Sequence, residues 1–153
     1  MDSPEALARI IYALGQIAKT QKREVIYPMH PRTKSKLAGI EIPSGVRIMD
    51  PLGFYDFNRL LASSWCVLSD SGTASEEALF YKVPCVNLRM TTERPETVEA
   101  GGNIIAGLNP QNIIDSVETA VTQEWGCRYD LNENFTASSV VINAIRSDIT
   151  NFF

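Results

Sequence analysis

The stretch from Trp65 to Gly101 constrains the fold of this chain more than any other. An apolar strand, Cys66-Val67-Leu68-Ser69, runs into the polar turn Asp70-Ser71-Gly72-Thr73. The turn opens a helix expected to begin with two acids, Glu76 and Glu77. A second strand, Pro84-Cys85-Val86-Asn87-Leu88, ends in another polar turn, Thr91-Thr92-Glu93-Arg94-Pro95. Strand, helix and strand at this spacing make a right-handed unit with parallel strands. Both polar turns then fall at one edge of the sheet, the carboxyl edge, where open α/β sheets bind ligands. A helix N-terminus offers free N–H groups to an anion. A carboxylate accepts hydrogen bonds from sugar hydroxyls, and an arginine clamps phosphate. The local chemistry is that of a nucleotide or nucleotide-sugar site.

The same alternation runs along the rest of the chain. Ser3-Pro4 supplies an N-cap and a first-turn proline. Leu7, Ile10, Ile11, Leu14, Ile17 and Ala18 then recur at helical spacing, which predicts a helix over 4–19. Further strands are expected at Glu24–Met29, Val46–Met49 and Asn103–Ala106, and helices at 32–38, Tyr55–Ser63, 73–81 and 94–100. Asn109-Pro110 caps a helix bearing Ile113, Ile114, Val117, Ala120 and Val121 on one face, and Thr136 caps a last one carrying Val141, Ile145 and Ile149. The region 122–135 gives the weakest signal. The fold class is α/β: a Rossmann-like parallel sheet flanked by helices, in one domain spanning residues 1–153.

Composition narrows the function. The 153 residues are 44% hydrophobic and 21% charged, enough for one core, and the net charge of −4 comes without a basic cluster. A nucleic-acid partner is therefore not expected. No run approaches the roughly 18 apolar residues that cross a bilayer. The Met1–Glu5 segment lacks the basic and apolar regions of a secretory leader, so a cytoplasmic location is expected, with no membrane partner. Three cysteines and one histidine show no metal-ligand spacing. Cys66 and Cys85 sit in strand patterns, where cysteine serves as a small hydrophobe.

Ser69-Asp70-Ser71-Gly72-x-x-x-Glu76-Glu77, followed by Thr91-Thr92-Glu93-Arg94-Pro95-Glu96-x-x-Glu99-Ala100-Gly101, resembles the non-hydrolysing UDP-N-acetylglucosamine 2-epimerases. His30-Pro31-Arg32 and Pro51-Leu52-Gly53-Phe54-Tyr55-Asp56-Phe57 match that family's earlier landmarks in order. The resemblance covers roughly residues 5–120 and implies the C-terminal, nucleotide-binding half of a two-domain enzyme of GT-B type. It also implies that a first, central strand belongs just before helix 4–19, ending in a loop with a histidine and an arginine. An open gap in a sheet exposes backbone groups and edges. A dimer, an exchange of elements, or covering of the gap by Met1–Glu5 or Phe152-Phe153 is then expected.

By this resemblance the UDP-sugar contacts are Ser71 and Gly72 near the diphosphate, Glu77 on the ribose diol, Arg94 toward phosphate or sugar, His30 bordering the cleft and Phe57 near the uracil. Thr73 stands where the family often has a second glycine, and its hydroxyl could substitute for that contact. Gly72 permits positive φ and close ligand approach. Read from the residues alone, Ser71 is an ordinary N-cap, Arg94 a surface ion-pair member, His30 a structural histidine and Phe57 a core aromatic. Glu76 reads as a solvated acid favoured by the helix dipole.

The implied reaction is interconversion of UDP-N-acetylglucosamine and UDP-N-acetylmannosamine, within polysaccharide biosynthesis, by elimination of UDP to a glycal and re-addition. No metal or redox cofactor is called for. The acid and base carboxylates belong, by resemblance, to an N-terminal domain with no counterpart in these residues, so no catalytic residue is assigned. The alternatives are the nucleotide-binding half of a retaining glycosyltransferase of the same architecture, or a non-catalytic nucleotide-sugar-binding module.

Overall fold

The computed structural model describes residues 3–123. Helix α1 (Pro4–Gln21) begins where Ser3 accepts a hydrogen bond from the Ala6 N–H through Oγ, at 3.2 Å. It ends at Lys22, whose left-handed φ of 51° turns its N–H back to the Ala18 carbonyl. Strand β1 (Val25–Pro28) follows, then a single turn of helix, α2 (Pro31–Lys34), shorter than the 32–38 expected. Strand β2 (Val46–Met49) lies where the pattern placed it. The chain continues through α3 (Phe54–Ala62), β3 (Val67–Ser69), α4 (Gly72–Phe80), β4 (Cys85–Asn87), α5 (Pro95–Glu99), β5 (Asn103–Ile105) and α6 (Pro110–Thr122). The expected helix after Thr136 and the third cysteine, Cys127, lie outside the described residues.

All strand pairs are parallel. Their ladders fall into two sheets, β1–β2 and β3–β4–β5. The residues of β4 divide by parity, as a strand buried on both faces requires. Val86 packs with Ile10, Leu14, Ile113 and Val117 under α1 and α6. Cys85 packs with Leu61 and Ala78 under α3 and α4. The result is three layers, helices on both faces of parallel strands.

Between β1 and β3 lies an elongated cavity of about 690 Å³. Val25–Pro28 form one wall and Val67–Ser69 the other, with Leu14 and Ile17 of α1 above and Leu60 and Leu61 of α3 below. Counted across this slot, the strands run β2, β1, slot, β3, β4, β5. That is the doubly wound order 3-2-1-4-5-6 with position 1 open among the described residues. Among the described residues, no strand is paired between β1 and β3.

Gly15 tests the tightness of the α1 packing. A Cβ there would lie 2.6 Å from two ring carbons of Pro43. Helix propensity favours Gly15→Ala by about 0.5–1 kcal/mol, but overpacking against a rigid ring costs about 1–3 kcal/mol. The variant should unfold at lower urea than the parent, by about 1 kcal/mol. A raised midpoint would show that Pro43 yields.

Candidate functional site

The carboxyl ends of β1 and β3 carry two clusters of polar side chains, one at the start of α4 and one at the end of β1 that Asp70 joins from the β3 side. The first surrounds the start of α4. Helices α1, α2 and α6 are closed by side-chain caps, from Ser3, His30 and Asn109. Helix α4 has Ser71 in the cap position, with φ −94° and ψ 129°, yet Ser71 Oγ makes no capping bond. The N–H groups of Gly72, Thr73 and Ala74 are therefore left as open donors at a helix N-terminus. The Ser71 carbonyl is fixed instead from behind: buried Ser75 donates to it through Oγ at 3.2 Å. Ser69 Oγ accepts from the Ser71 N–H at 3.0 Å.

Gly72 does not use the positive φ that glycine permits; the positive-φ glycines among the described residues are Gly39, Gly45, Gly101 and Gly107. Gly72 is the first residue of α4 and has ordinary helical backbone. Arg94 packs close to it: its Cγ would lie 3.7 Å from a Cβ at Gly72, an ordinary van der Waals contact. Arg94 lies over the start of α4, its Nε donating to Glu76 Oε1 at 2.7 Å. Glu76 and Glu77 are not at the helix start, as expected, but in its second turn, because α4 begins at Gly72. Glu76 is thus the ion-pair partner of Arg94 rather than a solvated acid on the dipole. Both side chains are near half exposed, 42% and 44%, so the pair contributes little to stability. The half-buried Glu77 carboxylate makes no hydrogen bond or ion pair among the described residues. Thr73 is exposed, its hydroxyl pointing to no protein partner among them.

The Arg94 backbone is anchored from within. Thr97 donates to the Arg94 carbonyl at 2.7 Å and accepts from Asn103 Nδ2 at 3.0 Å. Thr97 and Asn103 are 1% and 3% exposed. A buried chain of hydrogen bonds therefore ties the loop carrying Arg94 to β5. Thr92 Oγ1 accepts from the Arg94 N–H at 3.0 Å. The sequence signal for this network was two polar residues, Thr97 and Asn103, at positions the packing buries.

The second cluster surrounds a polar cavity of about 340 Å³ at the end of β1. His30, Arg32, Thr33, Lys36 and Tyr27 line it from one side and Asp70 from the other. His30 caps α2, its Nδ1 accepting from the Arg32 N–H at 3.2 Å, which leaves the ring proton on Nε2. Burial, and next the Asp70 charge, push the Tyr27 phenol up from its ordinary value. Arg32, Lys36 and Asp70 were not expected in the site. The signal was available in part: Arg32 and Lys36 are four residues apart beside His30. Asp70 and Ser71 are consecutive, so the two clusters form one edge.

Phe57 lies one turn into α3, half buried against Leu61, Ala78 and Cys85, and borders the slot. Its ring sits where core packing puts it. Both described cysteines are buried small hydrophobes: burial pushes the Cys66 thiol up to about 12 and the Cys85 thiol up to about 11. Among the described residues no three His, Cys, Asp or Glu side chains gather as metal ligands, and no helix is long and apolar enough to cross a membrane.

Residues 1–140 match the family model of the UDP-N-acetylglucosamine 2-epimerases. The chain belongs to that family. It is 37% identical over 123 residues to a UDP-N-acetylglucosamine 2-epimerase of Methanococcus maripaludis, covering 76% of this chain and 34% of the relative. It is 35% identical over 120 residues to a UDP-2,3-diacetamido-2,3-dideoxy-D-glucuronate 2-epimerase of Pseudomonas aeruginosa. The solved UDP-GlcNAc 2-epimerase of Methanocaldococcus jannaschii, in complex with UDP-GlcNAc and UDP, superposes with a TM-score of 0.76 at 35% identity. That match covers 82% of this chain and 36% of the solved one. The chain thus spans about a third of the length of the epimerases it matches, and is a partial, C-terminal piece of the family's fold.

The anchoring of Arg94 can be tested without ligand. Thr97→Val removes both bonds made by the Thr97 hydroxyl and leaves Asn103 Nδ2 buried and unpaired. The expected loss is about 1–3 kcal/mol of stability, read as a lower denaturation midpoint. An unchanged midpoint would mean that the buried chain contributes nothing.

Proposed function

We propose that this chain is the UDP-holding half of a UDP-N-acetylglucosamine 2-epimerase, folded as a single UDP-sugar-binding domain over residues 1–153. The observation that carries the proposal is the uncapped start of α4, with three open N–H groups and Arg94 lying above it. Ser71, Gly72 and Thr73 would receive the diphosphate, with the Thr73 hydroxyl replacing a backbone contact. Arg94 would add a charge-assisted donor. Glu77, with its carboxylate unengaged, suits two vicinal ribose hydroxyls. His30 would border the cleft from the β1 side, and Phe57, close to the same edge, would wall the base.

The reaction follows from what such a site can stabilise. Elimination of UDP puts negative charge on the departing diphosphate, and fixed N–H donors lower the energy of that charge without rearranging. The proton at C2 needs an acid and a base. None of the residues assigned to the site on this chain has that part, so the carboxylates that move the proton belong to the partner domain. No metal or redox group enters the scheme. We place the enzyme in the cytoplasm, in polysaccharide biosynthesis, with the GT-B pairing of two domains around the sugar. The Pseudomonas relative, named for a different UDP-sugar, supports a reading in which this region serves the nucleotide common to both.

Titration calorimetry tests the uridine assignment. The chain should bind UDP more tightly than UMP or ADP, and weakly, because half a cleft neither closes nor excludes water. Equal affinity for all three, or no heat at millimolar ligand, removes the assignment. Arg94→Ala should weaken UDP about tenfold, the lower end expected for one charge-assisted hydrogen bond. The isolated chain should yield no UDP-N-acetylmannosamine by proton NMR; turnover should return only when the N-terminal domain is added in trans.

A further inference from the structure

A buried polar side chain costs stability unless it is paired, so the places where a chain keeps such groups are informative. Among the described residues four polar side chains are buried: Ser75, Asn87, Thr97 and Asn103. All four belong to α4, β4, α5 and β5, the elements that carry the α4 start and the Arg94 loop. None belongs to α1, β1, α2, β2 or α6.

Two of the four have the same task. Ser71 and Arg94 are the N-cap residues of α4 and α5, and neither helix has a side-chain cap. Each N-cap carbonyl is held instead from inside the protein. The Ser71 carbonyl accepts from the Ser75 N–H at 3.4 Å and from Ser75 Oγ at 3.2 Å. The Arg94 carbonyl accepts from the Thr97 N–H at 3.1 Å and from Thr97 Oγ1 at 2.7 Å. A hydroxyl has one proton, so each of these has only acceptor capacity left. Ser75 Oγ accepts from Cys85 Sγ at 3.7 Å, and Thr97 Oγ1 accepts from Asn103 Nδ2 at 3.0 Å. Cys85 and Asn103 are register partners in the β4–β5 ladder. Two relays therefore start from one rung of the sheet, and they end on the backbones of Ser71 and Arg94. Asn87 adds a third hold: its Oδ1 accepts from the Arg89 N–H at 3.0 Å, where β4 leaves for the Arg94 loop.

This arrangement has a cost. Asn103 Oδ1 is buried and accepts no hydrogen bond among the described residues. A serine inside a helix that bonds back four residues slightly destabilises it, and alanine is the better helix former. Neither feature helps the domain to fold, yet each holds a backbone that carries groups of the candidate site. We propose that Ser75 and Thr97 are positioning residues for anion binding. They set the α4 N–H groups and the Arg94 guanidinium at one spacing, and the Cys85–Asn103 rung references both to the sheet. The positioning role rests on the reading of those groups as a diphosphate cradle, but it also shows as order in the free chain, so either can fail alone.

The test is nitrogen-15 relaxation of the free chain, followed by titration calorimetry with UDP. Ser75→Ala should fold at least as well as the parent, by helix propensity. It should lower the order of the Gly72 and Thr73 amides and leave Arg94 Nε–H unchanged. Thr97→Val should do the reverse, taking the Arg94 Nε–H order parameter into the flexible range below about 0.6. Thr97→Ser keeps the hydroxyl and should keep the parent's order. Ser75→Ala and Thr97→Val should each weaken UDP about threefold to tenfold, the factor that one neutral hydrogen bond represents. In an Arg94→Ala background Thr97→Val should cost nothing further, while Ser75→Ala keeps its effect. A merely structural role would weaken UDP equally in both backgrounds. If Thr97→Val does not fold, Ser75→Ala decides. If the parent gives no heat with UDP, the cradle reading fails and the order parameters decide the positioning role. Three results would overturn it: order unchanged in both variants, UDP affinity unchanged in both, or a Thr97→Val loss that Arg94→Ala does not diminish.

Discussion

Packing of α1 on α6 is the contact on which the rest depends. Among the described residues the two sheets share no ladder bond, so ladder hydrogen bonding does not join them there. What joins them is apolar burial: Ile10, Leu14 and Ile17 of α1 meet Ile113 and Val117 of α6, while the same helix lies on β1 and β2. Each such side chain, fully buried, contributes roughly 1.5–3 kcal/mol. At the amino end of the strands, Arg23 stacks over Trp65 at 4.6 Å and ties the end of α1 to the approach of β3. Burial is not directional. It holds the halves together but does not set their separation as a ladder would.

This division bears on the site. His30, Arg32 and Lys36 hang from the β1 half, and Ser71, Gly72, Glu77 and Arg94 from the β3 half. The second cluster itself spans the slot, since Asp70 reaches it from β3. A carboxyl-edge site in a doubly wound sheet sits at the switch point, next to the central strand. Here that position is the slot. Within each half the groups are rigidly held, Ser71 by Ser75 and Arg94 by Thr97 and Asn103. Across the edge, the spacing of the two groups depends on how the two halves pack.

The layer order was legible because it rests on periodicity, and periodicity is local. The alternation of apolar runs and amphipathic helices placed every described strand within a residue or two, and β2 to the residue. The separation of β1–β2 from β3–β4–β5 among the described residues is where the resemblance placed a further strand. The helix starts were read less well, and this shifted the chemistry. Reading α4 from Thr73 rather than Gly72, and its acids as first-turn residues, made Glu76 a dipole-stabilised acid. The structure puts Glu76 in the second turn, facing a residue 18 positions later. No local pattern encodes that pair, because it exists only once β4 and α5 fold back on α4. Asp70 joining His30 is the same case: two loops, 40 residues apart in sequence, brought to one edge by the topology.

The Glu76–Arg94 pair also shows why a weak bond can serve a binding site better than a strong one. In the proposed site, an Arg94 already standing above α4 would bring less ordering entropy against binding an anion. Glu76 holds it there through Nε, at 2.7 Å. Because both side chains remain near half exposed, water screens their attraction, and neither charge carries a large desolvation cost. The guanidinium keeps donors beyond the one that Glu76 takes. An anion at the α4 N-terminus could engage these without breaking the pair, and the three unpaired N–H groups below would complete its shell. A buried, bidentate pair at the same place would fix Arg94 more firmly and leave it fewer donors to give.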